Sequence, residues 1–144
     1  SRNGGRYVGL YVIMDRDKIL RLIHYNRNKE LDGAQEEWRD EEKVESNYKS
    51  GRKNGVQKIW KNGVLISQEY YSFGLKSGTH SAWYNNGVLK YSHNFINNKP
   101  EGLIVGWFIN GQMQYRRKFV KNQLVEDVKW DENGNIRYIF DSWK

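Results

Sequence analysis

The three histidines are the side chains in this sequence that are best suited to acid–base or metal chemistry. A metal site would need several of them to converge with carboxylates, and a proton-transfer site would need one beside a nucleophile. His24 and His93 each stand four residues after an aliphatic residue that recurs along the chain, and His80 belongs to a different predicted strand. Equivalent positions in successive repeats indicate a packing role used twice, so we expect no metal centre.

Paired carboxylates are the other groups that could act as a general acid and base. Asp15 with Asp17, and Asp131 with Glu132, stand in predicted turns, where aspartate is a common turn former. The sequence has no cysteine, which excludes disulfides and thiolate metal ligands. It also lacks a glycine-rich phosphate loop and the HExxH and GxSxG motifs. We therefore predict a non-enzymatic protein with no catalytic residues, no bound metal and no cofactor.

A run of basic and aromatic residues from Tyr115 to Phe119 has the composition of a site for single-stranded nucleic acid. In such a site the rings stack on bases while the cations neutralise phosphates. Side chains of an extended strand alternate between faces, however, which places Arg116 and Lys118 opposite Tyr115 and Phe119. Because the two halves of the site are separated, we do not expect nucleic acid to be the partner.

Charge is distributed unevenly along the chain. Residues 51–124 carry eleven Lys or Arg and two Asp or Glu, whereas residues 1–50 carry ten of each kind. Six acidic residues fall within the segment 36–45. A basic middle can steer an acidic partner, whether protein, nucleic acid or anionic lipid. Basic residues on an exposed sheet also prevent edge-to-edge aggregation, and both interpretations stay open.

The elements that position these residues come from an internal repeat of 22 to 24 residues. A glycine is followed five residues later by a tryptophan in four successive copies. These copies are Gly33 with Trp38, Gly55 with Trp60, Gly78 with Trp83, and Gly102 with Trp107. A degenerate copy has Val125 with Trp130. The period gives units that begin near residues 9, 33, 55, 78, 102 and 125, after an N-terminal tail of residues 1–8.

Each unit is predicted to form two short strands joined by turns. The first turn holds Asn-Gly in four units, a dipeptide typical of hairpins because both residues tolerate positive φ. The dipeptide begins at Asn62, Asn86, Asn110 and Asn133. The second turn holds Asn or Gly, where we expect a left-handed residue. Its members are Asn28, Gly51, Gly74, Asn98 and Asn122. The segment Asp40-Glu41-Glu42 lacks the turn glycine, so we expect a different turn type there.

Alternation predicts two ladders of side chains along this β-meander. The second strand of each unit contributes every other residue from its aliphatic position, as in Leu89, Tyr91, His93 and Phe95. The tryptophans form the other ladder, with one ring in each unit. Hydrophobic residues make up 38% of the chain and the mean hydropathy is −0.92, which is too polar for a thick two-layer core. Aromatic side chains compensate, because each covers a large area of a sheet.

The pattern Gly-x4-Trp, then Asn-Gly-x-Leu, then aromatic-x2-Asn or Gly-Lys resembles the bacterial MORN-type repeat of YwqK-family antitoxins. The resemblance extends from Gly9 to about Phe140 and is best over Gly55–Leu65, Gly78–Lys99 and Gly102–Met113. It implies an all-β fold, an elongated single-layer antiparallel sheet of about six β-hairpin (MORN-type) repeats in one domain. The family pattern includes no catalytic motif that could be carried over.

The resemblance also implies a function. We expect a protein-binding repeat protein, an antitoxin or immunity protein that blocks a toxin sterically. The alternative is a MORN-repeat scaffold that associates with anionic membrane lipid or with another protein partner. The expected partner contacts combine basic residues of the middle units with aromatic residues outside the ladders. They are Lys58, Lys61, Tyr70, Tyr84, Lys90, Phe108, Arg116, Arg117 and Lys118.

The sequence gives a limited indication of location. It has no apolar stretch long enough to span a bilayer and no signal-peptide core near its N-terminus. We expect the bacterial cytoplasm, and a secreted or periplasmic location stays open if a signal peptide has been removed. Both an elongated monomer and a dimer paired through its exposed edge strands are compatible with the pattern.

Overall fold

A computed structural model describes residues 9–142, which form a single β-sheet with its connecting turns. This range contains no helix, and so no helical segment that could cross a membrane. The strands are β1 (Gly9–Asp15), β2 (Lys18–Tyr25), β3 (Gly33–Arg39), β4 (Glu42–Lys49), β5 (Arg52–Lys53), β6 (Gly55–Lys61), β7 (Val64–Ser72), β8 (Leu75–Lys76), β9 (Gly78–Trp83), β10 (Leu89–Ile96), β11 (Lys99–Trp107), β12 (Met113–Val120), β13 (Gln123–Trp130) and β14 (Ile136–Asp141).

Twelve of these strands form a continuous antiparallel meander in which each strand pairs with the next along the chain. The two-residue strands β5 and β8 pair with β4 and β7 at the turns between units. Each predicted unit forms one hairpin, from β1–β2 through β13–β14. The prediction of an all-β sheet of about six hairpins is therefore confirmed. The predicted tail of residues 1–8 lies outside the described residues.

Most of the turns between units are tight and have a left-handed backbone. Four of them place positive φ at both central residues, as in the type I′ turns whose twist matches that of the sheet. These turns are Ser50–Gly51, Phe73–Gly74, Asn97–Asn98 and Lys121–Asn122. The prediction is wrong at Asn28, because the first such loop is longer and its left-handed residue is Lys29. There the side-chain oxygen of buried Asn26 accepts the N–H groups of Asn28 and Glu30 and sets the loop conformation.

The Asn-Gly dipeptides build hairpin loops of two kinds. Asn62–Gly63 is a two-residue turn with positive φ at both residues, whereas only the glycine is left-handed in the three later hairpins. In two of those hairpins the asparagine amide bonds to the loop of the next hairpin. Asn86 Nδ2 donates to the Ile109 carbonyl at 3.1 Å, and Asn110 Nδ2 donates to the Glu132 carbonyl at 3.0 Å. Asparagine there joins neighbouring repeats instead of supplying a left-handed backbone.

The turn at Asp40–Glu41 differs from the Asn-Gly turns, as predicted. Positive φ occurs at Asp40 but not at Glu41. The first hairpin has the same arrangement, with positive φ at Arg16 but not at Asp17. Neither turn has a glycine at its second position. Because a left-handed backbone is strained for most other residues, only the first position of each turn is left-handed.

A register shift in four of the five hairpins that carry a tryptophan changes the predicted faces. Beside the tryptophan the pairing slips by one residue, so that Trp83 pairs with Leu89 while Ala82 pairs with Tyr91. Directly opposed residues share a face, and neighbours along a strand lie on opposite faces. The prediction that Leu89 shares the face of Tyr91 is therefore wrong, because the bulge moves Leu89 to the face of the tryptophan. The same correction applies to Leu65, Met113 and Ile136.

The sheet has two faces of different composition. One face, called the aromatic face below, carries a row that crosses all twelve strands. In order, the row is Ile13, Arg21, Glu37, Val44, Ile59, Ser67, Ala82, Tyr91, Gly106, Tyr115, Lys129 and Tyr138. The other, the tryptophan face, carries the predicted ladder of Trp38, Trp60, Trp83, Trp107 and Trp130, each next in sequence to a member of that row.

Burial favours the aromatic face. The buried hydrophobic side chains among residues 9–142 are Ile23, Ala82, Ile104 and Val105, and all but Val105 lie on this face. The terminal strands are much less covered. In β1 every side chain from Leu10 to Met14 is 42–58% exposed. The sheet therefore has most of its buried apolar side chains on one face and exposed apolar strands at both ends.

Candidate binding surfaces

The aromatic face holds a continuous chain of rings in the middle of the sheet. Ring centroids are 5.5 Å apart for Tyr71 and His80, 4.9 Å for His80 and Phe95, and 4.5 Å for Tyr91 and His93. A contact between His93 and Phe95 at 6.4 Å completes the chain. These distances are typical of packed aromatic side chains. His80 and His93, which pair across β9 and β10, are thus members of a packed cluster.

Both of these histidines also bond to neighbouring groups. His80 Nε2 lies 2.7 Å from the Tyr70 carbonyl oxygen, and His93 Nε2 lies 2.6 Å from Tyr115 Oη. Burial lowers the pKa of His93, and the nearby charge of Arg117 lowers it further. At neutral pH the His93 ring is therefore uncharged and is held by packing and by one hydrogen bond.

His24 does not share the position of His93, contrary to the prediction. His24 precedes the aromatic Tyr25 by one residue, whereas His93 precedes Phe95 by two. Because side chains alternate, His24 lies on the tryptophan face and His93 on the aromatic face. Within residues 9–142, no three His, Asp or Glu side chains are grouped so that they could hold a metal ion.

Gly106 provides the space that Tyr115 occupies. It is buried and stands between Tyr91 and Tyr115 in the row across the aromatic face. A Cβ atom at position 106 would overlap the Tyr115 ring. Burial raises the pKa of both tyrosines. The glycine lets the Tyr115 ring lie against the backbone and bring its hydroxyl to His93.

Two ion pairs lie back to back on β12 and β13. On the aromatic face, Arg117 Nε is 3.3 Å from Oδ1 of the buried Asp127, and the guanidinium lies 5.0 Å from the centroid of the Tyr115 ring. On the tryptophan face, Arg116 Nε donates to Glu126 Oε1 at 2.7 Å. Both arginines that the sequence suggested as partner contacts are thus paired within the chain.

The predicted turn-forming role of the carboxylates is confirmed at Asp131. Its Oδ1 accepts the N–H groups of Asn133 and Asn135, each at 2.9 Å. The bond from the Asn135 N–H and the further bond from its side-chain amide lower the pKa of Asp131. Arg137 lies 3.3 Å away, so this carboxylate stabilises its own loop.

The structure distributes the predicted partner contacts over several places and does not bring them together as one patch. Those on the tryptophan face are Lys58, Tyr70, Arg116 and Lys118. Arg117 lies on the aromatic face, Tyr84 and Phe108 lie in hairpin loops, Lys61 ends β6, and Lys90 is the extra residue of a register shift.

Three of these side chains are held by internal contacts. Tyr84 Oη donates to the Trp107 carbonyl at 2.8 Å, and Lys90 Nζ lies 5.5 Å from the centroid of the Tyr84 ring. Tyr70 Oη accepts a hydrogen bond from Gln68 Nε2 at 2.6 Å. The Tyr84 bond joins neighbouring hairpins, whereas the contacts of Lys90 and Tyr70 lie within a single hairpin.

The surface that sequence reasoning missed is the edge formed by the turns between units. The last four of these turns, segments 49–54, 72–77, 96–101 and 120–123, together carry six Lys or Arg and one Asp or Glu, and the first loop, residues 26–32, adds two of each. We call the surface formed by these last four turns the basic edge; its cations are Lys49, Arg52, Lys53, Lys76, Lys99 and Lys121. Its single acid, Glu101, accepts the backbone N–H groups of Lys121 and Asn122. The recurrence of lysine two residues before a repeat glycine, at Lys53 and Lys76, is the signal that could have found it.

The opposite edge, formed by the turns within hairpins, carries the opposite charge. With their closing residues, these turns hold seven Asp or Glu and four Lys or Arg. The segments counted are 15–18, 39–42, 61–64, 83–89, 107–113 and 130–136. In a meander the two kinds of turn lie along opposite edges. Asp40, Glu41 and Glu42 are thus separated from the cations of the basic edge by the width of the sheet.

No protein-family model matches this sequence, and no curated protein is detectably similar to it. The likeness to MORN-type repeats therefore depends on the residue pattern and on the hairpin arrangement alone. A functional proposal has to come from the surfaces of the sheet.

Proposed function

We propose that this protein is non-enzymatic and acts by binding another protein, as a bacterial antitoxin or immunity protein that covers part of a toxin. The observation that carries the proposal is the open sheet. Among residues 9–142 only four hydrophobic side chains are buried, and no second layer covers either face. Two faces and two oppositely charged edges are therefore presented to a partner along the whole row of hairpins.

The side chains that could take part in catalysis already make internal contacts, and this supports a non-enzymatic role. His80 and His93 are packed among rings, and Arg117 is paired with Asp127. Asp131 is used within its own loop. Groups that serve packing and turn formation in this way are not free to activate a substrate.

The antitoxin role is the more specific part of the proposal, and it comes from the resemblance to MORN-type repeats of YwqK-family antitoxins. Hairpin units stacked at a constant period give an extended surface on which several neighbouring repeats can contact one partner. A bound toxin would be inhibited because its own surface is covered, without any reaction. We place this function in the bacterial cytoplasm.

A scaffold role at anionic membrane lipid is the second candidate. Exposed apolar side chains adjoin the lysines of the basic edge, with Phe73 56% and Ile96 60% exposed. Cations beside exposed apolar groups are typical of surfaces that bind anionic membranes. Flotation of the protein with vesicles that contain or lack anionic lipid tests this candidate directly.

The test of the main proposal is an affinity pull-down of the tagged protein from a lysate of its source organism. Each enriched protein is then expressed alone and together with this chain, and cell growth is measured. We expect one stoichiometric partner whose toxicity is suppressed by co-expression. Recovery of membrane fragments, or of many weak partners and no toxic one, would contradict the antitoxin proposal.

A further inference from the structure

We infer that the basic edge is the docking site for an acidic segment of the partner protein. The inference rests on the proposed function, and it adds the location of the contact and the chemistry of the partner. Five of the six cations of the basic edge are exposed. Glu101 in its turns, and Asp32 in the loop beside them, accept backbone N–H groups. The surface complementary to this edge carries carboxylates.

The edge is held by a repeated set of backbone hydrogen bonds. Three of the turns between units each donate an N–H group to a carbonyl near the preceding turn. These bonds are Gly51 N to Leu31 O (2.8 Å), Gly74 N to Lys53 O (2.7 Å) and Asn98 N to Lys76 O (3.0 Å). A surface whose backbone is already fixed loses less conformational entropy on binding.

Two lysines of the edge are held by aromatic rings as well. Lys53 Nζ lies 4.9 Å from the centroid of Tyr71, and Lys76 Nζ lies 5.2 Å from the centroid of Phe95. In each case the ring belongs to the next hairpin, so a cation–π contact joins adjacent repeats. These ammonium groups have defined positions, which suits them to individual carboxylates better than to mobile lipid headgroups. The same lysines lie over the rings on which a nucleic acid base would have to stack.

Protection against aggregation does not explain where these charges lie. The strands whose backbone groups are open to pairing are β1 and β14, because they end the sheet. In β1 the segment Gly9–Met14 has no charged residue. The basic edge consists instead of turn tips, which present no open strand. Its charge therefore requires another explanation, and recognition of an acidic partner provides one.

The spacing of the edge suggests an extended partner segment. Successive turns between units are two strands apart, or about 10 Å. A chain in the polyproline II conformation advances about 9 Å in three residues and returns every third side chain to the same side, so an acidic side chain at every third position can follow the row. Exposed Phe73, Leu75 and Ile96 lie between the cations and offer apolar contacts to the intervening residues.

The test uses the full chain and two triple variants with equal change in net charge. The edge variant is Arg52→Glu, Lys99→Glu and Lys121→Glu. The control variant is Lys58→Glu, Lys61→Glu and Lys90→Glu, away from the basic edge. The probe is a labelled peptide of four Glu-Leu-Gly repeats, with a Gln-Leu-Gly peptide as its neutral counterpart. Stopped-flow fluorescence gives the association rates, and thermal unfolding shows that both variants fold.

We expect the native chain to bind the acidic peptide and not the neutral one. The edge variant should associate about tenfold more slowly or worse, while the control variant stays near the native rate. Equal losses in the two variants, or no binding by the native chain, would overturn the inference. Vesicles of phosphatidylcholine with and without phosphatidylserine form a parallel arm. Edge-dependent binding to the anionic vesicles without peptide binding would assign the edge to lipid and likewise overturn the inference.

The failure of this inference can be distinguished from the failure of the proposed function. If the native chain suppresses a toxin and the edge variant suppresses it equally well, the function stands and the docking site is elsewhere. If the native chain suppresses no toxin, the proposed function fails whatever the peptide result.

Discussion

The two faces of the sheet are built on the same twelve strands, but their side chains are packed in different ways. The aromatic face joins polar rings to one another, as in the bond between His93 and Tyr115, and it contains a buried ion pair. The tryptophan face places one tryptophan per hairpin, in most hairpins against an aliphatic residue such as Leu89 beside Trp83. All five of these tryptophans remain partly exposed.

The difference indicates that the aromatic face is stabilised by hydrogen bonds and an ion pair that need a particular geometry. The tryptophan face is stabilised by the apolar area that its rings bury. Trp60 is an example. Among residues 9–142, its Nε1 is the one buried side-chain nitrogen or oxygen that has no hydrogen-bond partner. Its ring contributes by covering the sheet, at the cost of an unsatisfied donor. A small change should therefore be costly on the aromatic face and well tolerated on the other.

Gly106→Ala is expected to have the largest effect on the aromatic face. The new Cβ would overlap the Tyr115 ring, which would have to leave its place and its bond to His93. We expect a loss of about 2–3 kcal/mol in the free energy of unfolding. Urea denaturation measures it. Because the conflict is with one side chain, the same substitution should cost much less in a Tyr115→Ala background. A full loss in that background would show that Tyr115 is not the cause.

The back-to-back ion pairs give a direct comparison of the faces. Asp127→Asn leaves Arg117 without its carboxylate in a buried setting and should cost about 2 kcal/mol. Glu126→Gln, one residue away on the tryptophan face, removes a more exposed pair and should cost about 0.5 kcal/mol or less. Chemical denaturation of both variants checks the difference. Equal losses would mean that the ion pairs on the two faces contribute equally to stability.

Tyr115→Phe removes one hydroxyl from the aromatic face and keeps the ring. The lost bond to His93 should cost about 1 kcal/mol. Tyr138→Phe is the matched control, since Tyr138 holds the corresponding position in the last hairpin and is 48% exposed. We expect almost no change there by thermal or urea unfolding. A similar loss in both variants would contradict the special role of the His93 contact.

Much of the architecture could be predicted because its signals are local. Recurring glycines, tryptophans and turn residues specify hairpins through backbone conformations that few residues adopt. The faces of the aliphatic residues could not be predicted, since the bulge that moves them has no residue signature. The extra residues are Ile66, Lys90, Gln114 and Arg137, which share no property.

The candidate surfaces were harder to predict than the strands. The nine suggested contacts were chosen by residue type along the chain, and the sheet places them on both faces and in loops. The basic edge depends on adding charges over turns that are distant in sequence and adjacent in space. The close packing at Gly106 does have a sequence signal, because the small residues Ala82 and Gly106 pair with Tyr91 and Tyr115.

The smallest expected effect is a dependence of stability on pH that arises on the aromatic face. His93 faces the charged or titratable groups Tyr115, Arg117, His80 and Lys76, and its pKa is lowered in the folded protein. The unfolded chain takes up this proton near the ordinary histidine value of about 6.5, whereas the folded chain resists it. The stabilising contribution is therefore complete above that value and is lost as the pH falls toward the folded-state pKa.

Urea unfolding between about pH 8 and pH 5.5 should show this loss, in a range where most carboxylates stay ionised. His93→Gln keeps an amide within reach of Tyr115 and removes the titration. Its stability should depend less on pH than that of the native chain. NMR titration of the His93 ring measures its pKa in the folded protein directly. A midpoint at or above the ordinary value would show that the ring is solvated and protonates freely. The aromatic face would then resemble the tryptophan face in covering the sheet without holding its polar groups in place.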